Sequence, residues 1–296
     1  MPRESRQQTG VTYGNAGLYT ALIWLLRHFS IRSVYTFMSV CVIPVAMLVS
    51  PGARIAYRYF HKRRGLGWWK SVKATYKNHC LFGQTVIDKF AVYAGHTFKV
   101  SYHGLEAYQS MLERPEAFVQ LNAHIGCSEM LGYSLHLEKR CNVLVYGGEK
   151  QSLMGYRQAS FGQMNMRMVP VGTANAQSEA IANALDRGEI VSAFADRYFN
   201  SNKVVQSKLH DFTINLARGP FSLAVTRGID VVMVSAMKEP DGTYSAYFTP
   251  LSYDRSQPKS TQRQQLADAY TAEMERLLGR YPLQWFNYFN LWADKA

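Results

Sequence analysis

Short apolar runs alternate with amphipathic stretches from residue 98 onward, and this alternation restricts the fold more than any other feature. Predicted strands cover 98–102, 117–122, 142–146, 168–171, 189–195 and 230–236, and predicted helices cover 105–113, 128–139, 151–161, 175–187, 220–227 and 261–280. Strands separated by helices usually pair in parallel. A hairpin is predicted over 237–251, with Asp241-Gly242 at its turn. The pattern predicts an α/β fold with a mixed, largely parallel sheet flanked by helices.

The chain divides by composition into two predicted regions. Residues 1–64 form a polar tail followed by apolar and basic helices, and residues 65–296 form the α/β domain, which opens with a helix over 66–95. Hydrophobic residues make up 47% of the chain, which is enough for a large core and excludes a disordered protein.

The net charge of +12 is concentrated in the N-terminal third. Residues 1–87 contain twelve Lys or Arg and one acidic residue, whereas residues 88–296 are nearly neutral. The basic residues are interleaved with apolar runs and Trp68-Trp69, with no nucleic-acid-binding motif among them. This distribution favours an anionic membrane surface as the partner over a nucleic acid.

An uncharged stretch of eighteen residues, Ser33–Ser50, has basic residues on both sides and Pro44 near its middle. Three interpretations are open: a single membrane anchor with the catalytic part in the cytoplasm, a helical hairpin in the membrane interface, or a buried core helix. The late start of the apolar region and the absence of a small-residue cleavage site argue against a signal peptide. Membrane association is the favoured interpretation, with its depth open.

His124 is the candidate catalytic residue. It directly follows a predicted strand, five residues before Glu129, which lies at the start of the next predicted helix. A carboxylate on one ring nitrogen would fix the tautomer and leave the other nitrogen free to accept a proton. The alternative is a packed histidine at the end of a core strand. Cys127 is expected to be a buried thiol, and the four scattered cysteines show no metal-ligand spacing.

Other candidate residues also fall where predicted strands end. His124, Tyr146 and the pair Asp196-Arg197 all lie at carboxyl ends, where reactive groups collect in such sheets. No GxGxxG, GxxxxGK[ST] or GxSxG motif competes for this role. The Asp-Arg pair could instead be an ion pair on the surface. Gly219-Pro220, at the start of the helix predicted over 220–227, is a further candidate, and the alternative is that it only begins the helix.

Four segments in this order resemble the lipid A biosynthesis acyltransferases of the lysophospholipid acyltransferase superfamily, closest to the Bacteroidetes-like branch. They are HIGCSE, FADRYF, ARGPFSLA and QWFNYFNLW, and FGQTVIDKFAVYAG is similar to an N-terminal stretch of that branch. The resemblance covers most of residues 60–292. It implies a glycerolipid acyltransferase-like fold and transfer of an acyl chain from acyl carrier protein or coenzyme A to a hydroxyl or amine of a lipid, such as a lipid A precursor.

The resemblance also implies roles for individual residues. His124 corresponds to the general base and Glu129 to its orienting partner. Asp196 and Arg197 help to shape the acceptor site, and backbone N–H groups at Gly219-Pro220 face a phosphate or the oxyanion. Arg157, or otherwise Arg167, corresponds to the arginine that follows the histidine. No metal or bound cofactor is implied, since the acyl thioester is a co-substrate.

One departure from the family pattern concerns the loop itself. Family members usually carry Asn-Trp where this chain has Cys127-Ser128. The loop therefore lacks a large aromatic side chain, which keeps open the alternative of a catalytically inactive lipid-binding or scaffold protein. The expected location is the cytoplasmic face of the inner membrane, and the acceptor, donor and chain length stay open.

Overall fold

The computed structural model describes residues 16–146, 165–171, 174–198 and 203–293. The helices are α1 (Ala16–His28), α2 (Ile31–Val49), α3 (Pro51–Arg58), α4 (Trp68–Tyr93), α5 (Leu105–Glu113), α6 (Leu131–Ser134), α7 (Ala174–Asp186), α8 (Arg218–Arg227) and α9 (Lys259–Arg280). The strands are β1 (Val100–His103), β2 (Phe118–Asn122), β3 (Cys141–Tyr146), β4 (Met166–Val171), β5 (Ile190–Phe194), β6 (Val204–Leu209), β7 (Phe212–Ala217), β8 (Asp230–Lys238) and β9 (Tyr244–Leu251).

Seven strands form one sheet in the order β1-β9-β8-β2-β5-β3-β4. Every neighbouring pair in this sheet is parallel except the β8–β9 hairpin. The fold class predicted from the sequence is therefore confirmed. The predicted hairpin forms, but its first strand is the whole of β8, so the strand predicted over 230–236 and the first arm of the hairpin are one strand. β2 lies between β5 and β8 in the middle of the sheet, where its side chains are buried on both faces.

The chain after β2 differs from the helix predicted over 128–139. A 3₁₀ turn over Ser128–Met130 leads into the single turn of α6, and the backbone is extended from Leu135. The extended conformation lets Leu137 pack in the core beside Cys141, and the Asn165 side chain donates hydrogen bonds to the Leu137 and Glu138 carbonyls. Burial of Leu137 thus outweighs local helix propensity.

The hairpin formed by β6 and β7 was not predicted from the sequence. These strands form a separate antiparallel sheet joined by His210 and Asp211, both of which have positive φ angles. A two-residue turn of this type usually carries Asn-Gly or Asp-Gly, and His-Asp gives no such signal. The helix predicted over 151–161 lies outside the described residues.

The N-terminal helices pack on the long helix α4. Tyr19 of α1 stacks on Phe90 with ring centroids 5.2 Å apart, and the Tyr76 hydroxyl of α4 donates to the Ser39 carbonyl of α2 at 3.0 Å. α2 is long and apolar enough to cross a bilayer. Only 11% of its most apolar stretch of 18 residues is buried inside the protein. The interpretation of this segment as a buried core helix is therefore wrong.

Candidate active site

His124 lies in the loop that leaves the carboxyl end of β2 and is held by backbone hydrogen bonds on two sides. The Gly126 N–H donates to the Gln284 carbonyl at 2.8 Å, and the Cys127 N–H donates to the Ala236 carbonyl at 2.7 Å. The His124 carbonyl accepts from the Phe286 N–H at 2.7 Å. The loop is therefore a fixed part of the sheet edge, which suits a residue that must be positioned accurately.

The partner of the His124 ring is Asp196. Nδ1 of His124 lies 2.7 Å from Oδ1 of Asp196, and the His124 backbone N–H donates to Oδ2 at 2.8 Å. Sheet register explains the pairing, since β2 and β5 are parallel neighbours with Asn122 opposite Phe194. The residue two positions beyond each of these is His124 on one strand and Asp196 on the other.

This pairing corrects the predicted role of Glu129 as the orienting partner. Glu129 lies in the 3₁₀ turn and faces α4, where Lys89 donates to its Oε2 at 2.9 Å. Its Oε1 accepts a hydrogen bond from the Tyr133 hydroxyl at 2.7 Å. The helix expected to present Glu129 to the imidazole does not form, whereas the adjacent strand delivers a carboxylate directly. Glu129 therefore braces the loop against α4.

Burial and charge leave the pair as a neutral imidazole beside an ionised carboxylate. Burial lowers the pKa of His124 below its ordinary value of 6.5, and Arg197 acts in the same direction, while Asp196 opposes both. Burial alone raises the pKa of Asp196, but the charge on His124 and its hydrogen bonds prevail, so this pKa lies below its ordinary value. A neutral imidazole near pH 7 is the form that can accept a proton.

The two ring nitrogens of His124 have different surroundings. The side chain is 24% exposed, whereas Asp196 is fully buried. Asp196 binds Nδ1, and within the described part of the chain no hydrogen bond reaches Nε2. The Phe194 ring packs against the imidazole with centroids 4.5 Å apart. The site therefore presents one acceptor nitrogen, and Phe194 limits the motion of the ring.

Cys127 is a packed thiol, as expected from the sequence. Its side chain is buried in the cluster that includes Met130 and Leu131. Burial raises the pKa of this thiol to about 11, and the nearby Lys89 ammonium opposes the shift only in part. Because the thiolate is the nucleophilic form of cysteine, this thiol is inert at neutral pH.

The C-terminal segment Gln284–Asn287 supports the site from behind. Asn287 Nδ2 donates to the Asp196 carbonyl at 2.7 Å and to its Oδ2 at 3.0 Å. The Gln284 side chain bonds to both the N–H and the carbonyl of Lys238. Trp285 and Phe286 are buried. The aromatic C-terminal segment thus contributes two side chains to the core.

The remaining predicted site residues have different surroundings. Arg197 donates from Nε to Asn287 Oδ1 at 3.1 Å, which places its guanidinium beside the same support and not in an isolated surface ion pair. Gly219 and Pro220 lie in the first turn of α8, next to Ala217, whose N–H donates to the Ala195 carbonyl. Arg157 lies outside the described residues. Arg167 is in β4 and exposed.

The residues that sequence reasoning missed are the supporting ones. Asn287 and Gln284 lie in the segment QWFNYFNLW and Lys89 in FGQTVIDKFAVYAG, and neither segment indicates by itself a contact with the distant His124 loop. His124 and Asp196 both follow predicted strand ends, but the neighbouring positions of the two strands became evident only from the sheet register. Among the described residues no group of three or more His, Cys, Asp or Glu side chains converges to hold a metal ion.

This geometry defines a class of protein: an α/β fold with a histidine–carboxylate pair at the carboxyl edge of its sheet. A comparison with models of protein families identifies the family. The model of the bacterial lipid A biosynthesis acyltransferase family matches residues 89–294, and the chain belongs to this family. It is an acyltransferase that acts on a lipid. A search among curated proteins finds no significant match.

Proposed function

We propose that the chain transfers a fatty acyl group from acyl carrier protein or acyl-coenzyme A to a hydroxyl or amine of a membrane lipid, with His124 as the general base. The carrying observation is a partly exposed imidazole whose Nδ1 is bound to a buried carboxylate, with no hydrogen bond to Nε2 from the described residues. The family match supports the acyl transfer. A lipid A precursor is the acceptor that the family name favours.

The reaction proceeds by direct transfer without an acyl-enzyme. Nε2 of His124 takes the proton from the acceptor group as its oxygen or nitrogen attacks the thioester carbonyl. The new acyl bond forms, the carbon–sulfur bond breaks, and the imidazolium returns the proton to the departing thiolate. Asp196 stabilises the imidazolium in between. Backbone N–H groups and a nearby arginine stabilise the oxyanion, with Arg157 and the first turn of α8 as the candidates.

The location follows from charge and exposed surface. The acceptor lipid is anionic and acyl carrier protein is acidic, and the basic N-terminal third suits both partners. Exposed tryptophans and basic residues near α1 and α4 are typical of a membrane-facing surface. We place the catalytic domain on the cytoplasmic side of the inner membrane, where acyl thioesters are made.

The test is mass spectrometry of total lipid and lipid A from a strain that lacks the gene and is complemented with defined variants. Wild type is expected to restore one acyl chain on one lipid, and His124→Ala is expected not to. His136 provides a matched control because it is an exposed histidine in the extended segment after α6. His136→Ala is expected to restore the lipid fully.

The outcomes separate the parts of the proposal. Full complementation by His124→Ala contradicts the assignment of the general base while the acyl transfer stands. An unchanged lipid profile in the deletion strain contradicts the acceptor class. Immunoblotting of each variant in the membrane fraction verifies that a loss of acylation does not reflect a loss of protein.

A further inference from the structure

The exposed apolar side chains are confined to one end of the chain. Within the described residues, all thirteen large hydrophobic side chains that are exposed lie between residues 18 and 82. Six of them are on α2, and two of these, Leu48 and Val49, are about 80% exposed. The six are Phe37, Val40, Val42, Val45, Leu48 and Val49. Six large apolar side chains exposed along one helix of nineteen residues indicate a partner.

The opposite face of α2 packs along α4. Tyr35 near its start donates to Asp88, Met38 lies against Gly83, and Met47 near its end packs in the same cluster as Tyr76. All three segments of α2, before, within and after its π-helical turn at Met38–Val42, contact α4. α2 therefore lies alongside α4 and does not project away from the domain.

α4 in turn packs on the catalytic domain over most of its length. Ala74 belongs to the core cluster that contains β2 residues, and Asn78 donates to the Leu283 and Trp285 carbonyls. Lys89, near the other end, pairs with Glu129 in the His124 loop. Helix α2, helix α4 and the domain are thus stacked in layers.

A bilayer-spanning α2 is incompatible with this stack. A crossing would carry α4 into the hydrocarbon with it, including the exposed Lys73 and Lys77 that flank Tyr76 opposite the middle of α2. The bilayer centre strongly disfavours charged side chains. The charges around α2 agree, because exposed Arg27 precedes it, exposed Arg32 lies in its first turn, and exposed Arg54 and Arg58 follow it. Positive residues resist translocation at either end.

We propose that α2 lies in the plane of an anionic lipid leaflet, with its outer face in the acyl chain region and both of its ends on the side of the catalytic domain. The occupant of the exposed surface is the lipid itself, which the basic residues at both ends of α2 complement in charge. The inference rests on the membrane association proposed above and is independent of the acyl transfer chemistry.

Cysteine labelling in intact cells tests the position of the two ends. Ser30→Cys and Ser50→Cys mark the ends of α2, and Glu113→Cys marks an exposed position of the catalytic domain. We expect a membrane-impermeant maleimide to label none of the three in intact spheroplasts and all three after the membrane is opened. Wild type, with its native cysteines, gives the background. Labelling of one end of α2 in intact spheroplasts overturns the proposal.

Flotation with vesicles of phosphatidylglycerol and phosphatidylcholine tests the occupant. Val40→Asp combined with Leu48→Asp is expected to lower the fraction bound at least about tenfold, because a charge in the acyl region is strongly unfavourable. Ala272→Asp, at an exposed position of α9, is the control and is expected to bind like wild type. A double variant that binds vesicles as well as wild type does would refute a lipid occupant. So would a wild-type protein that forms a dimer and does not bind vesicles. Lipid analysis of the deletion strain complemented with each of these variants reports separately on acyl transfer.

Discussion

At the residue scale, the site depends on one ring nitrogen being held and the other being free. Asp196 accepts two hydrogen bonds from His124, one from the ring and one from the backbone N–H, and it accepts a third from Asn287. A buried carboxylate with three donors stays ionised and stationary. The imidazole therefore has one tautomer and one orientation, and the proton to be transferred has one destination.

Asp196→Asn is expected to lower kcat roughly 10³–10⁴-fold, since an amide can donate to Nδ1 and stabilise the wrong tautomer. In wild type the acidic limb of the pH–rate profile inflects below the ordinary histidine value of 6.5. Loss of the carboxylate charge removes a contribution that raises the pKa of His124, so the inflection moves to still lower pH. A pH series of kcat measures both effects.

Glu129→Gln is the matched comparison for that experiment, because it replaces the other carboxylate near the loop. It is expected to leave the inflection in place, since Lys89 and not His124 is its charged partner. If the inflection of the pH–rate profile moves in Glu129→Gln and stays in place in Asp196→Asn, the pairing of His124 with Asp196 is contradicted. Thermal unfolding of both variants separates catalytic from folding defects.

At the scale of elements, the His124 loop requires a glycine at its turn. Gly126 has φ +62°, and a Cβ there would lie 2.2 Å from the Ala236 carbonyl oxygen. Gly126→Ala is expected to lower the free energy of unfolding by about 1–3 kcal/mol and to reduce activity, because the loop must leave β8. Chemical denaturation and the acyl transfer assay measure the two effects.

Gly279 near the end of α9 is the control for this substitution. It is exposed, has no positive φ, and a Cβ there meets no atom within 4 Å. Gly279→Ala is therefore expected to stabilise by about 0.4–1 kcal/mol and to leave activity unchanged. Similar unfolding free energies for the two variants would contradict the close approach at Gly126.

A buried ion pair joins the N-terminal helices to the sheet. Asp88 of α4 binds Lys238 of β8 and accepts hydrogen bonds from the Tyr35 and Tyr244 hydroxyls. Lys238→Met is expected to cost about 3–5 kcal/mol of unfolding free energy, since it leaves a buried carboxylate without its cation. Asp88→Asn added to Lys238→Met is expected to recover most of that loss. Equal instability of single and double variants in urea titrations would contradict this account.

The sequence predicted those elements whose signals are local. The alternation of apolar runs and helices gave the sheet, and the β8–β9 hairpin followed from Asp241-Gly242. The pairing of His124 with Asp196 could not be predicted from the sequence, because the pairing depends on which strands are neighbours in the sheet. The helix expected after Ser128 failed for a related reason, since burial of Leu137 is a tertiary effect. The roles of Asp196 and Arg197 toward the acceptor stay predictions.

At the scale of the whole molecule, charge is separated from chemistry. Residues 1–87 carry nearly all of the net positive charge, while the remainder is close to neutral. The basic residues can therefore attract an anionic surface without placing a strong field across the active site. The family model begins at residue 89, so the segment that holds this charge lies outside the matched region.

Binding to phosphatidylglycerol vesicles is expected to weaken as salt rises from about 0.1 M to about 1 M, because the screening length falls from about 10 Å to about 3 Å. A residual fraction stays bound through the exposed apolar side chains. Phosphatidylcholine vesicles are the control and are expected to show little dependence on salt. Binding to anionic vesicles that ignores salt contradicts the electrostatic contribution, and flotation across a salt series measures it.

The support of His124 by Gln284–Asn287 has a consequence for biosynthesis. A ribosome releases the chain from its amino end, so β2 and the His124 loop emerge long before the segment that pairs with them. During that interval the loop lacks its hydrogen bonds to Gln284 and Phe286, and Asp196 lacks Asn287. We therefore expect the His124–Asp196 pair to reach its final geometry only after the last residues of the chain have left the ribosome, when the N-terminal helices have long been free to meet lipid.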